Sequence, residues 1–294
     1  MSAPEVPSQE PRSLWRHLFK TPFRLDWIDA GGVKTRVLQA GAENAPTVVL
    51  LHGTAGSLEN FCANYAEYAR HFRVIGIDML GCGWTDKPAF DYLIKDYADH
   101  VRAVMDALGI RQADIVGVSL GSWVGAWLAL GSPERVRKLV MVAPAGIVTD
   151  PEEERRFGEA LRKSRGAAAA APTWQSVEKA LQALVLKPET LMDELIAVRL
   201  EIYQNPAMKD AMPRLLAFSM GGQALSEEQW RSLWMPIQVF AAVDAPNMFL
   251  GNARAIAKLA PCAELVEINN CDHWAQYEQP EAFNAASIAF LLKP

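Results

Sequence analysis

Cysteine and histidine are scarce in this chain of 294 residues, which contains four of the first and five of the second. The few cysteines show no metal-ligand spacing and cannot form a dense disulfide framework. We therefore expect free thiols in a reducing cytosol, and neither a metal site nor a disulfide-stapled fold. The four positions are Cys62, Cys82, Cys262 and Cys271.

The chain also has no excess of basic over acidic residues, because its formal net charge is -5 at pH 7. That balance argues against a nucleic-acid partner and against a polybasic membrane anchor. Long apolar runs are missing too, so we expect neither a signal peptide nor a membrane span. The simplest expectation is a cytoplasmic protein whose partner is a small molecule.

The first twenty residues are polar and contain proline, and residues 1–20 are predicted to form an N-terminal extension. Within it, the pattern from Leu14 to Phe19 favours a short amphipathic turn. Such a turn would pack on the domain or on a neighbouring subunit. If it packs on a neighbouring subunit, the protein forms a homo-oligomer, and this possibility stays open.

Short apolar runs alternate with longer helical patterns, which predicts βαβ units and an α/β fold with a mostly parallel, eight-stranded sheet flanked by helices. Gly31 and Gly32 lie between the first two strands and predict a hairpin. The predicted strands are Arg24–Ile28, Lys34–Gln39, Thr47–Leu51, Arg73–Ile77, Ala113–Val118, Lys138–Val142, Ile237–Val243 and Ala263–Ile268. The predicted helices are Leu58–Arg70, Asp96–Leu108, Leu120–Leu130, Gly251–Leu259 and Pro280–Leu292.

The alternation of predicted strands and helices is interrupted between about Asp150 and Gly222. The sequence there is first charged, then alanine-rich, then amphipathic. This predicts several helices inserted between two strands. Ligands bind beyond the carboxyl ends of the strands in an α/β sheet, so helices inserted there are well placed to form a lid. A purely stabilising helical insertion is the alternative. The predicted division is an α/β core at residues 21–149 and 223–294 with a helical cap at residues 150–222.

The segment Gly117–Gly121, with the sequence Gly-Val-Ser-Leu-Gly, lies between a β-branched run and an apolar helical stretch. A nucleophile elbow needs this context, namely a strand, a very tight turn and a helix, with one hydroxyl at the apex. Small outer residues let the strand and the helix pass close to each other. The pattern predicts Ser119 as a nucleophile, and the alternative is a serine that only caps the helix.

A serine hydroxyl needs a base, and His273 is the best-placed histidine. It follows a predicted strand through a short loop, so it should lie at the same sheet edge as the elbow. His17, His71 and His100 are predicted to be solvated surface residues. His52 is interpreted as a structural histidine that braces a loop.

A carboxylate should orient the imidazole of the base and stabilise its protonated form. Asp244 follows the penultimate strand and is the predicted acid. Asp150, just past the strand that enters the inserted helices, is the alternative. Asp272 is a weaker candidate, because adjacent residues on an extended loop rarely aim their side chains at each other.

Two backbone N–H groups should stabilise the oxyanion of the reaction. The predicted donors are the amides of Leu120, directly after the nucleophile, and Thr54, in the glycine-rich turn after an early strand. A phosphate loop is the other interpretation of such a turn. The chain has no Gly-x-Gly-x-x-Gly fingerprint and no Lys-Ser/Thr after the turn, so we expect no nucleotide and no other cofactor.

Together these motifs resemble the α/β-hydrolase family from about Phe23 to Leu292. The signals are the Leu-His-Gly-Thr-Ala-Gly turn from Leu51, the segment Ile77–Pro88, the elbow and the loop of His273. The resemblance implies an α/β-hydrolase fold and a Ser-Asp-His triad.

Within that family, the segment from Asp272 to Pro280 looks like the carbon–carbon bond hydrolases that act on meta-cleavage products of aromatic rings. The resemblance implies that Asn60 lies near the reacting oxygens, that Arg199 grips the substrate carboxylate from the lid, and that Trp274 lines the substrate site. Ser122 departs from the pattern, because these enzymes usually have a second glycine there. For Arg199, a surface ion pair with a neighbouring glutamate on its helix is the alternative.

The sequence therefore predicts a cofactor-free serine hydrolase that acts on a small, largely apolar carboxylic substrate. Carbon–carbon bond hydrolysis is the first hypothesis, and a carboxylesterase or lactonase with the same triad is the alternative. A non-catalytic ligand receptor on the same fold is the hypothesis from another class.

Overall fold

The structure is a computed structural model that describes residues 12–294, so most of the predicted extension lies outside the described residues. Its sheet contains eight strands within this range, in the order β1-β2-β4-β3-β5-β6-β7-β8. The predicted strands are confirmed with shifts of one or two residues at some ends. They are β1 Phe23–Asp29, β2 Lys34–Ala40, β3 Thr47–Leu51, β4 Arg73–Ile77, β5 Ala113–Val118, β6 Val136–Val142, β7 Ile237–Ala242 and β8 Ala263–Ile268.

The first two strands form an antiparallel hairpin whose turn contains Gly31 and Gly32, with φ values of +65° and +88°. Glycine suits this turn because a positive φ costs it no Cβ clash. Strand β2 also pairs antiparallel with β4, and the remaining pairs are parallel. Every residue of β5 is buried, as expected for a strand covered on both faces. The carboxyl ends of β3, β5, β6, β7 and β8 therefore meet at one edge of the sheet.

The helices lie on both faces of the sheet and between β6 and β7. They are α1 Leu14–Leu18, α2 Tyr65–Ala69, α3 Ile94–Ala107, α4 Leu120–Gly131, α5 Pro151–Ala170, α6 Trp174–Gln182, α7 Asp193–Gln204, α8 Pro206–Leu215, α9 Glu227–Arg231, α10 Met248–Leu259, α11 Ala275–Glu278 and α12 Pro280–Leu292. Short 3-10 helices occur at Leu58–Phe61, Pro133–Arg135, Pro188–Thr190 and Ala217–Met220.

The predicted continuous helix Leu58–Arg70 is wrong. The structure has a short 3-10 helix at Leu58–Phe61 and then α2. The break contains Asn64, whose side chain donates to the carbonyl of Gln276 and to Asn284 Oδ1 at 2.9 and 2.8 Å. These distant acceptors compete with regular helix geometry, and local periodicity cannot reveal them.

The segment between β6 and β7 contains α5 to α9, in agreement with the predicted helical insertion. Helix α5 begins at Pro151 with Asp150 as its N-cap, whose carboxylate accepts the N–H groups of Glu152 and Glu153 at 2.9 and 3.1 Å. Proline at the first helical position and a capping aspartate give this helix a well-defined start. Whether the segment acts as a lid stays a prediction at this point.

A buried ion-pair network explains the motif Ile77–Pro88. Arg36 Nε lies 2.7 Å from Asp78, and its Nη2 lies 2.9 Å from Glu59. A Cβ on Gly83, which has φ +52°, would lie 2.0 Å from Asp78 Oδ2. The Arg36 guanidinium also lies 4.2 Å from the centre of the Trp84 ring. The network holds the turn after β4 against the neighbouring loop after β3.

The prediction of a solvated His100 is wrong, and His17 is half-buried rather than solvated. His100 is buried against β2, where its Nε2 lies 2.8 Å from the Thr35 hydroxyl, and burial lowers its pKa to about 4. In α1, Leu14 and Leu18 pack into the core, as the amphipathic pattern predicts.

All four cysteines are free thiols. From residue 12 onward, none of the helices has the length and apolar character needed to span a bilayer.

Candidate active site

Ser119 lies at the apex of the turn between β5 and α4, with φ +54° and ψ -114°. A non-glycine residue rarely adopts this backbone conformation, and such strain is typical of functional turns. The flanking glycines make the turn possible. A Cβ on Gly117 would lie 2.4 Å from the backbone of Gly121, and one on Gly121 would lie 2.1 Å from the carbonyl oxygen of Leu51. The elbow geometry predicted for this segment is therefore present.

Ser122 occupies the position where the resemblance suggested a glycine. Its hydroxyl is buried and donates to the carbonyl oxygen of Gly117 at 2.7 Å, with that of Val142 at 3.2 Å. The backbone N–H of Ser119 also donates to Val142 at 2.8 Å. Two hydrogen bonds to Val142 therefore link the elbow to β6, and the one from the Ser122 hydroxyl could not be made by a glycine.

The turn after β3 packs directly on the predicted nucleophile. A Cβ on Gly53 would lie 3.4 Å from the Ser119 Cβ and 4.0 Å from its Oγ. Thr54 follows, and Leu120 is the first residue of α4, where N–H groups have no acceptor within the helix. Thr54, Ser119 and Leu120 also line one small cavity together. The role of Thr54 and Leu120 as oxyanion donors stays a prediction.

His52 is a structural residue, as interpreted from the sequence. Its ring is fully buried, with Nδ1 2.7 Å from the carbonyl oxygen of Gly53 and Nε2 accepting the N–H of Met79 at 3.1 Å. Burial lowers its pKa to about 3, so the ring is neutral at pH 7. With both nitrogens engaged, His52 holds the glycine-rich turn in place and is not free to act as a base.

His273 lies on the loop after β8 and lines the same cavity as Ser119. The ring is buried and makes an edge contact with Phe249, with ring centres 4.4 Å apart. Burial, with a smaller contribution from the cation of Arg165, lowers the pKa of His273 to about 3. The imidazole is therefore unprotonated at pH 7, which is the form a general base requires.

Asp244 follows β7 and is exposed, and its Oδ2 accepts the N–H of Asn270 at 2.6 Å. That bond ties the predicted acid to the loop that carries His273. The alternative acid, Asp150, has its carboxylate occupied by the N-cap of α5. Asp272 accepts a hydrogen bond from the Asn247 amide at 2.9 Å. None of the hydrogen bonds described for residues 12–294 joins one of these three carboxylates to the His273 ring. Asp244 is preferred for its position after β7, and its role as the acid stays a prediction.

The principal cavity at this sheet edge has a volume of about 570 Å³, within the usual range for small-molecule sites. Apolar walls come from α5, from α10 and from the segment after α6. The cavity brings together predicted residues from five separate segments. They are Thr54, Asn60, Ser119, Arg199, His273 and Trp274.

Arg199 is buried on α7, and its Nη2 lies 3.4 Å from Asn60 Oδ1, a long hydrogen bond. Asn60 Oδ1 also accepts the N–H of Ser57 at 3.0 Å. The alternative of a surface ion pair for Arg199 is wrong. Glu194 instead accepts the hydroxyl of Ser13 at 2.9 Å, and no acid in the described part of the chain pairs with Arg199. Its guanidinium is thus available to a ligand.

Trp274 is also buried at the cavity. Its N–H donates to the carbonyl oxygen of Leu184 at 3.1 Å, and its ring makes an edge contact with Tyr277. The backbone bond joins the loop of His273 to the helical insertion, so this side of the cavity wall includes both parts of the fold.

Two residues that the sequence analysis missed also line the cavity, Arg165 on α5 and Phe249 on α10. One signal was available for Arg165. Phe157, Leu161 and Arg165 recur at a spacing of four on one face of α5, which places a cation in line with an apolar stripe. Phe249 follows its helix cap Asn247 and carries no comparable local signal.

Comparison with known proteins agrees with this geometry. Residues 46–280 match the family model described as the alpha/beta hydrolase fold, so the chain belongs to the α/β-hydrolase family.

The relatives in this family include a 2-hydroxy-6-oxononadienedioate/2-hydroxy-6-oxononatrienedioate hydrolase from Paraburkholderia phymatum, 31% identical over 289 residues and covering 92% of both chains. A 2-hydroxy-6-oxo-2,4-heptadienoate hydrolase from Pseudomonas putida is 26% identical, covering 86% of this chain and 91% of that protein. Among solved structures, a serine hydrolase involved in carbazole degradation superposes with a TM-score of 0.77 at 27% identity, covering 92% of this chain and 99% of that one.

Proposed function

We propose that this protein is a cofactor-free serine hydrolase that cleaves a carbon–carbon bond in 2-hydroxy-6-oxo-dienoates. The observation that carries the proposal is the buried Arg199, which has no acidic partner among residues 12–294 and shares a cavity with Ser119 and His273. A buried guanidinium is costly without an anion, and a substrate carboxylate supplies one with bidentate geometry. The two relatives named above carry the same 2-hydroxy-6-oxo pattern in their substrate names.

The proposed reaction begins with binding of the carboxylate end at Arg199 and of the 2-hydroxyl oxygen near Asn60. The dienol then takes its keto form, so that the carbon chain can leave as a stabilised enolate. Neutral His273 removes the hydroxyl proton of Ser119, and the oxygen attacks the 6-oxo carbon. The amides of Thr54 and Leu120 hold the resulting oxyanion.

Collapse of the tetrahedral adduct breaks the bond between the former carbonyl carbon and the dienoate chain. The electron pair leaves with the chain, which takes the proton from His273, and an acyl group remains on Ser119. Water, deprotonated by His273, hydrolyses this ester and returns the enzyme. Asp244 orients the imidazole and stabilises its protonated form in both steps.

We also propose that residues 150–222 form the lid of the site on the core formed by residues 21–149 and 223–294. The three arginines that line the cavity, Arg156, Arg165 and Arg199, all belong to this insertion, whereas Ser119 belongs to the core. The free thiols favour a reducing cytoplasm as the location. The exposed rings of Trp15 on α1 and of Phe19 directly after it form the surface proposed for a homo-oligomer.

The test compares hydrolysis of the monocarboxylate 2-hydroxy-6-oxo-2,4-heptadienoate with that of p-nitrophenyl acetate, which has no carboxylate. Arg199→Ala should lower kcat/KM for the dienoate about 100-fold, since a charge-assisted contact is lost, and should change ester hydrolysis less than threefold. Arg155→Ala, at an exposed arginine of α5 paired with Glu152 and Glu159, is the matched control.

Ser119→Ala should abolish both activities and labelling by a fluorophosphonate. Rapid ester hydrolysis with no dienoate cleavage would replace the proposal with a carboxylesterase. A protein that neither hydrolyses nor labels would be a ligand receptor.

A further inference from the structure

The cavity contains a second buried guanidinium that the reaction above does not use. Arg165, on α5, is 5% exposed and donates through Nη1 to the carbonyl oxygen of Ala180 at 2.8 Å. Its Nε is buried without a partner, as is the Nε of Arg199. Neither arginine pairs with an acid in the part of the chain that the structure describes.

The acids that line the cavity do not balance these two charges. They are Asp272 and Glu153, and a third arginine, the exposed Arg156, lines the cavity as well. Asp272 accepts a hydrogen bond from Asn247 at 2.9 Å. Glu153 is half-buried in the first turn of α5, beside the exposed Arg156. An arginine stays protonated in proteins, so the cavity wall contains two buried positive charges.

Each guanidinium affects a different titratable group. Burial is the main cause of the lowered pKa values of His52 and His273. The charge of Arg199 makes a smaller contribution to the pKa of His52, whereas the charge of Arg165 makes a smaller contribution to that of His273. Burial and the charge of Arg199 also lower the pKa of Arg165 itself. The two cations therefore repel each other, and a ligand with two negative charges would relieve that repulsion.

We propose that the substrate is a dicarboxylate, with one carboxylate held by Arg199 beside Asn60 and the second held by Arg165. The inference rests on the proposed function and adds the charge of the substrate class to it. The second carboxylate would lie on the part of the substrate beyond the 6-oxo carbon. Arg165 is then a specificity-determining residue, since it contacts substrate away from the bond that breaks.

The first experiment measures binding and requires no catalysis. Protein with Ser119→Ala is titrated calorimetrically with nonanedioate and with nonanoate, which differ only in the second carboxylate. We expect nonanedioate to bind at least tenfold more tightly. Adding Arg165→Met should remove that preference and leave the nonanoate affinity within threefold. Arg162→Met is the matched control, because this arginine lies one turn away on α5 and contacts Ser219 outside the cavity lining.

A further variant separates charge recognition from the bond to Ala180. Arg165→Lys retains the positive charge and should recover part of the nonanedioate preference. An equal loss of affinity for nonanedioate and nonanoate in Arg165→Met would overturn the inference. It would mean either that Arg165 has a purely structural role or that both arginines bind the same carboxylate. Equal affinities of the two ligands before any change at Arg165 would overturn it as well.

The second experiment compares kcat/KM for 2-hydroxy-6-oxo-2,4-heptadienoate and for the dicarboxylate 2-hydroxy-6-oxononadienedioate. Arg165→Met should lower the dicarboxylate value at least tenfold and the monocarboxylate value less than threefold. Cleavage of both substrates with no selective effect would refute the inference and retain the proposed function. Dicarboxylate binding that depends on Arg165, with no cleavage of either dienoate, would refute the proposed function and retain the inference about the ligand.

Discussion

Gly121 allows a test of how the elbow supports catalysis, because a side chain added there would meet the backbone at the end of β3 and the start of the glycine-rich turn. A Cβ added there would lie 2.1 Å from the carbonyl oxygen of Leu51 and 2.9 Å from that of His52. Real Cβ contacts are essentially never below 3.0 Å, so in Gly121→Ala the turn after β3 must retreat by about 1 Å. That turn carries Thr54, whose amide is one of the two proposed oxyanion donors.

The expected magnitudes follow from this displacement. Overpacking at a site of this kind costs about 1–3 kcal/mol, and the better helix propensity of alanine returns up to about 1 kcal/mol. A net loss of about 1–2 kcal/mol in a chain of 294 residues lowers Tm by roughly 2–4 °C. A shift of about 1 Å in catalytic geometry lowers kcat/KM on the order of 100-fold.

The assay measures hydrolysis of p-nitrophenyl acetate, the rate of fluorophosphonate labelling at Ser119, and Tm for the same preparations. Gly131→Ala is the control, because Gly131 ends the same helix and an added Cβ would meet nothing within 4 Å. That variant should be as active as the wild type and equally or slightly more stable. If Gly121→Ala retained kcat/KM within threefold of Gly131→Ala, the close approach of helix and turn would not be what positions the oxyanion donor.

Two further predictions concern charge and protonation. Asp244→Asn should reduce kcat for ester hydrolysis about 10⁴-fold by favouring the wrong imidazole tautomer. Asp150→Asn should leave kcat nearly unchanged, because asparagine is also a good N-cap. The reverse ranking of the two variants would make Asp150 the acid. His52, His100 and His273 have folded pKa values lowered from 6.5 to about 3, 4 and 3, so their contribution to stability is present above pH 6.5 and falls as the pH drops, by up to about 1.4 kcal/mol per pH unit for each. Urea unfolding at pH 7.5 and 5.5 should show this loss, and His100→Gln should make the dependence of the unfolding free energy on pH less steep. An unchanged slope would mean that His100 titrates alike in the folded and unfolded states.

Features that depend on neighbouring residues were predictable from the sequence. The bounds of β3, β4 and β5 agree with the predicted strands, because a strand covered on both faces reads as a short apolar run. The bounds of β8 agree as well, although most of its residues are exposed or half-buried. The elbow was also predictable from the sequence, since Gly117 and Gly121 are needed for the close approach of strand β5 and helix α4 at a single turn. Features that depend on distant partners were missed. Asn64 breaks a predicted helix through its contacts with Gln276 and Asn284, and His100 is buried beside Thr35.

The order of Ser119, Asp244 and His273 along the chain, each after a predicted strand, was sufficient to place them at one sheet edge. Parallel strands align their carboxyl ends whatever the intervening sequence. The resemblance implied Arg199 in the substrate site, but the lack of acidic partners and the second buried arginine, Arg165, were decided by tertiary structure. An arginine on an amphipathic helix is ordinarily solvated, and only the packing of α5 and α7 over the core encloses Arg165 and Arg199 without acidic partners.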